Sequence, residues 1–411
     1  MKKWLWIDIL ALAVVIGVLA GAVLVLTGGD EGEKPTPFPT AALTEEPSPS
    51  PSPTKSGGVV VKHAGNWPTY GYDMARTRYD PNVDLRPPFR LKWTFKPEDL
   101  LEFPPSIDDG RLYLCAGHGY VYCLDAATGT RIWRYASHGK FASTPTIDGD
   151  EVYVSSFAGK LICLDKYSGK RRWQFTGCAV TESSPLVWRK RVFFGDRNGD
   201  LWALSTETHK VVWKYHTGGK IAGAPAMLND RIVVGSYDGA VYCFTYDGKV
   251  IWKRSTSGAL GVTDPFYGTA ALAYNTVYLG SIGRHVFAFD LSNGGTRWKT
   301  STGAWIYASP AVWKGLVLIG CFDTWFYALD AANGRVVWKF NARGKISGSP
   351  TVLNGVVYFS TLNWKTFGLD ARTGKQLWTF GDGKYTPVTA DKERLYLCGA
   401  LKLYCLVPSK K

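Results

Sequence analysis

The chain has 411 residues, of which 45% are hydrophobic and 20% charged, enough for a large core and too apolar for an intrinsically disordered protein. Eight cysteines over this length exclude a small disulfide-stapled scaffold, and no CxxC pair offers the usual zinc spacing. The net charge is +14; residues 1–57 hold four lysines and six acids, which leaves +16 on the rest and favours anionic partners.

At the N-terminus, Lys2 and Lys3 precede an apolar run from Trp4 to Leu26, broken only by Asp8. Twenty-three such residues can span a bilayer as a helix. Lysines before the run and Asp30, Glu31 and Glu33 after it predict the remainder of the chain outside. Ala20-Gly21-Ala22 would suit signal-peptide cleavage, but the apolar run continues past it, which favours a signal-anchor. Residues 1–27 are therefore expected to be a single-pass membrane anchor. Residues 28–60, Pro-, Ser- and Thr-rich from Pro35 to about Gly58, cannot bury a core and read as a disordered stalk. Extended, that segment reaches on the order of 70 Å.

Residues 61–411 carry a repeat. Trp93, Trp133, Trp173, Trp213, Trp252, Trp298, Trp338 and Trp378 follow one another at intervals of 40, 40, 40, 39, 46, 40 and 40 residues. A step near forty is one four-stranded propeller blade. Before each Trp comes a turn such as LDAATGTRIW, where Asp125, Asp165, Asp290, Asp330 or Asp370 can cap and the following Gly can take positive φ. Pro105, Pro145, Pro185, Pro225, Pro310 and Pro350 precede their Trp by 28 residues (27 for Pro225) and suit the start of an inner strand. Ser205 and His209 replace the Asp and Gly in the third unit, which predicts a locally altered turn. Trp93 has no unit before it, and the unit from Pro387 to Leu406 has no Trp after it. Joining them closes an eighth blade and removes the sheet edges. The expected fold is an all-β, eight-bladed propeller with the eight tryptophans docked between blades.

Cys123, Cys163, Cys243 and Cys405 fall where other repeats carry Ala203, Ala328 and Gly368, so core packing is favoured over a Cys115–Cys123 or Cys398–Cys405 bridge. Gly-Lys pairs place Lys140, Lys220, Lys345 and Lys384 in equivalent inter-blade loops, around one rim of the channel. Trp325 and Trp364 fall in hairpins on that face and Trp305 in another inter-blade loop. The 46-residue interval places about six extra residues between Ser255 and Gly268, with Asp264, Phe266 and Tyr267 expected over the channel mouth. Lysines among aromatics suit a partner-binding face. Equally, the Gly-Lys pairs are compatible with simple inheritance from an ancestral repeat, and the aromatics with packing between blades.

The pattern Ala-x-Asp-x-x-x-Gly-x-x-x-Trp, clearest from Ala328 to Trp338, resembles the docking motif of pyrroloquinoline quinone (PQQ) repeat propellers. That superfamily includes quinoprotein alcohol dehydrogenases and the outer-membrane assembly lipoprotein BamB. The stretch from Trp67 to Tyr79 is also similar to the segment leading into such propellers, so the resemblance covers Trp67 to Leu406. The dehydrogenases of this family would imply PQQ in the channel, a calcium ion, an Asp base and commonly a vicinal cysteine pair. This chain has no adjacent cysteines, few acids near the expected mouth, and no cysteine before residue 115 for a lipid anchor like that of BamB. The expectation is a monomeric, membrane-tethered extracytoplasmic scaffold with no cofactor and no metal. It would bind envelope proteins or anionic cell-surface polymers, and not nucleic acid. The alternative is a PQQ-dependent dehydrogenase with atypical ligands.

Overall fold

The computed structural model describes residues 66–409 except 138, 142, 257–262, 384, 386–387 and 400. These belong to the larger of two compact units, 53–411. The expected anchor (1–27), the stalk (28–60) and Lys384 lie outside the described residues.

Eight antiparallel sheets follow one another along the chain. Blade one is typical: Ser106–Asp108, Arg111–Ala116, Tyr120–Asp125 and Arg131–Ala136 run from the channel outward, each paired with the next. The second and third strands are apolar on both faces, because blades cover them on either side. The outer strand alternates, with one side wet. Blade eight joins Thr389–Ala390, Leu395–Cys398 and Leu403–Pro408 to Phe89–Phe95, with Trp93 opposite Cys405. This is the closure expected from the unpaired ends of the repeat.

The tryptophans act as the spacing predicts. A register shift just before each one, for example between Cys123 and Leu124 opposite it, turns the ring toward the next blade. Trp133 Nε1 donates to the Lys166 carbonyl, Trp252 to Leu291 and Trp298 to Ala331, each at 3.0 Å. Six of the eight rings, all but Trp173 and Trp378, also lie on a turn glycine. A Cβ on Gly334, at φ +75°, would come within 2.6 Å of the Trp298 ring. The third unit differs as expected: His209, at φ +60°, stacks on Trp173 with centroids 4.7 Å apart. Trp173 Nε1 has no acceptor among the described residues. Asp125 Oδ1 accepts the Ala127 and Thr128 N–H groups, so these turns are capped as their sequence suggests. All eight cysteines are free, seven of them buried.

The lead-in segment does more than precede the blades. From Trp67 to Asp80 it runs round the inside of the ring as a strap. The carbonyls of Trp67, Pro68, Met74, Ala75, Thr77 and Arg78 accept N–H groups from the inner strands of blades one, two, four, five, six and seven, at 2.7–3.0 Å. Arg76 Nη2 reaches the Pro185 carbonyl of blade three. Tyr79–Asp80 adds a fifth, parallel strand inside Thr351–Leu353. Inner strands face the channel with unpaired backbone groups, and the strap satisfies them.

Candidate functional site

The other end of the channel is formed by the inter-blade loops and the hairpins between second and third strands. One backbone bond repeats there. The carbonyl five residues before each blade's Pro position accepts the first hairpin N–H of that same blade. Phe157 bonds Lys140 in this way, Tyr237 bonds Lys220, Phe322 bonds Trp305 and Leu362 bonds Lys345. Lys140, Lys220, Trp305 and Lys345 thus occupy equivalent positions round the rim. Lys140 and Lys345 are exposed, and Lys220 is half-buried.

The next residue inward is core. Phe266 is fully buried, its N–H bonded to the Ser236 carbonyl as Ile221, Ile306 and Ile346 are bonded in their blades. It packs edge to face on Phe287. The expectation that Phe266 projects over the mouth is corrected: the loop's extra residues end before it, and it fills the slot an isoleucine fills elsewhere. Asp264 is also buried, with its carboxylate 3.2 Å from His285 Nδ1 and 3.8 Å from Lys299 Nζ, so it is tied to blade five instead of projecting over the channel.

One position further, the loops present Glu182, Tyr267 and Tyr307. Tyr267 donates to Glu182 Oε2 at 3.1 Å, and Arg197 Nε donates to Oε1 at 2.7 Å. Tyr267 packs edge to face on Tyr237 at 6.2 Å and on Tyr307 at 5.3 Å. Trp305 and Phe322 extend the aromatic surface from Tyr307. Lys220 Nζ sits 4.0 Å from the Tyr237 ring centroid and 5.7 Å from that of Tyr267. Burial, and secondarily the Arg197 charge, push the Lys220 ammonium below its ordinary value, against the pull of Glu182. Burial pushes the Tyr267 phenol well up, and the Glu182 charge adds to it. Of the other residues expected here, Trp325 is half-buried under Lys339 Nζ at 4.3 Å, and Trp364 is exposed on its hairpin. Glu182, Arg197, Tyr237 and Tyr307 were not among the expected partner-binding residues. Their signal is position: three residues before the Pro slot, or on the facing hairpin.

This arrangement does not fit a calcium-bound quinone. Two carboxylates, Glu182 and Glu102, act on Tyr267 at the mouth, and Glu182 is committed to Arg197 and Tyr267. Among the described residues no group of three or more His, Cys, Asp or Glu side chains could hold a metal. The tyrosine rings pack on each other's edges and leave no parallel slot between them for a flat cofactor.

Docked tryptophans, capped Asp-Gly turns and a shared closing blade define a PQQ-repeat β-propeller. Residues 90–186, 178–305 and 305–403 match the family described as outer membrane protein assembly factor BamB, and the chain belongs to that family. BamB from Moraxella catarrhalis superposes with a TM-score of 0.68 at 17% identity, over 78% of this chain and 99% of that one. A europium-containing methanol dehydrogenase superposes with a TM-score of 0.74 at 13% identity, over 84% and 98%. Both likenesses are of fold. In sequence, 77 residues are 36% identical to 1-butanol dehydrogenase (cytochrome c) of Thauera butanivorans, 17% of this chain. The chain spans 11% of that enzyme's length.

Proposed function

We propose that the chain is a membrane-tethered, extracytoplasmic propeller acting as a monomeric, non-catalytic binding or assembly scaffold, with the loop-lined mouth as its working face. The observation that carries this reading is how the mouth's groups are engaged. Its Glu182 carboxylate is paired with Arg197, whereas Lys140, Lys220 and Lys345 share the rim with Tyr237, Tyr267, Tyr307 and Trp305. Cations beside aromatic faces suit acidic envelope-protein surfaces or anionic cell-surface polymers. The apolar run at Trp4 to Leu26 supplies the tether, and the Pro-rich stalk supplies reach.

A photo-crosslinking side chain at Trp305, and another at Tyr274 on an inner hairpin at the opposite end, would test this in the full chain in its native membrane. One envelope partner captured from position 305 and not from 274 is the expected result. Equal capture from both would sink it. The second reading, a PQQ-dependent dehydrogenase, draws on the 77 residues shared with the butanol enzyme. Its test is calorimetric titration of the full chain with PQQ and calcium, where saturable one-to-one binding would favour it over the scaffold.

A further inference from the structure

The strap carries two guanidinium groups that the scaffold reading does not use. Arg76 and Arg78 are each 1% exposed. Every nitrogen of Arg76 is engaged: Nε donates to the Pro225 carbonyl at 3.0 Å, Nη2 to Pro185 at 3.2 Å, and Nη1 to Thr69 Oγ1 at 2.7 Å and to the Tyr70 carbonyl. Arg78 differs. Its Nε and Nη2 are buried without an acceptor among the described residues. It stacks on the Tyr70 ring, 4.1 Å from the centroid.

A buried guanidinium with open N–H groups is costly, because it has lost water and gained no acceptor. Tyr70, which also hydrogen-bonds Arg78, offsets only part of it. Asp73 is taken up by Thr77, whose N and Oγ1 donate to it at 2.9 and 2.7 Å, and burial pushes its carboxyl up. Arg76 adds a second positive charge. Tyr70 senses the excess: burial alone would raise its phenol, yet Arg78 and hydrogen bonds to Ser349 and Ser309 hold it below the ordinary value. The tyrosine hydroxyl lies 3.4 Å from Ser349 Oγ, so donors as well as charge converge at this point.

We infer that the propeller axis binds a small inorganic anion, held by Arg78 Nε and Nη2 beside Tyr70. The enclosure of Arg78 restricts the ligand to a halide or a compact oxyanion. A water molecule could accept both N–H bonds but would leave two buried positive charges against one carboxyl. The Arg78 carbonyl also accepts the Val352 N–H at 2.9 Å, so the anion would lock the strap onto blade seven. This inference is independent of the scaffold reading.

The test is the melting temperature of the full chain at constant ionic strength, with chloride or phosphate replacing a bulky organic anion. A rise that sets in near the Kd and then continues by about 2 °C for each tenfold increase in anion is expected. A rise with phosphate alone would mark an oxyanion site, and a rise with both a less selective one. Arg78→Met should abolish the response. Should that variant fail to fold, crystals of the wild-type chain soaked in bromide should show an anomalous peak within hydrogen-bond distance of Arg78 Nε. A melting temperature indifferent to the anion, or a water at that position after soaking, would overturn the inference.

Discussion

At one end of the channel the strap meets the inner strands through main-chain carbonyls, and at the other the loops present side chains that differ from blade to blade. The strap's contacts use atoms that every residue has, so they fix geometry without selecting a partner. At the mouth the equivalent rim positions are Lys140, Lys220, Trp305 and Lys345, and the next ring inward includes Glu182, Tyr267 and Tyr307. The backbone repeats while the chemistry varies, as expected where a rigid scaffold carries recognition on its loops. On the proposed scaffold reading one end would govern stability and the other specificity, and substitutions can separate the two.

The largest loss should come from the strap. Arg76→Ala would remove a guanidinium from four acceptors and leave the Pro225 carbonyl short of a donor, at a cost of about 3–5 kcal/mol. Urea denaturation of the full chain measures it; a loss below 1 kcal/mol would mean that the main-chain bonds suffice. Gly334→Ala should follow. Its Cβ would meet the Trp298 ring at 2.6 Å with φ at +75°, a clash worth roughly 1–3 kcal/mol. Gly381→Ala, with nothing within 4 Å of the added Cβ, is the control. At the mouth the order should invert. Trp305→Ala should lower partner affinity about tenfold or more while changing stability by only about 1 kcal/mol. Parallel losses in binding and stability would erase the distinction between the ends.

The sequence made the blades legible because each relies on side chains at fixed offsets: a Trp to dock, an Asp to cap, a Gly to turn. Even the exception was visible, since His209 stands where the docking Trp173 would otherwise meet a glycine. The strap was not legible, because carbonyl-to-amide bonds leave no mark on side-chain identity. From Trp67 to Tyr79 the sequence showed a familiar lead-in and nothing of its path. Phe266 was misplaced for a different reason. Counting extra residues from Ser255 put it in an insertion, whereas counting back four from the Pro slot aligns it with Ile221, Ile306 and Ile346, all buried. The same count would have picked out Tyr307 beside Glu182, one of the few acids expected near the mouth.

The smallest effect should be electrostatic and should depend on pH. Lys220 is held below its ordinary value of 10.5 by burial and by Arg197, so the folded chain carries its charge at a disadvantage near neutrality. As pH rises through the folded value, the native state gives up this proton before the unfolded chain does. Its contribution to stability therefore grows until pH passes 10.5. Lys220→Met keeps the stem over Tyr237 and removes the charge. It should be more stable than the wild type at pH 7, and the gap should close as the wild-type lysine deprotonates. The phenols of Tyr237 and Tyr267 act in the opposite sense. Burial raises both, so stability falls as pH rises past 10, where the unfolded tyrosines ionise first. Comparing the two chains at each pH removes most of that shared decline. A gap that stays constant from pH 7 to 11 would show that Lys220 matters at the mouth for its packing on Tyr237, and that its charge is free to serve a partner at no cost to the fold.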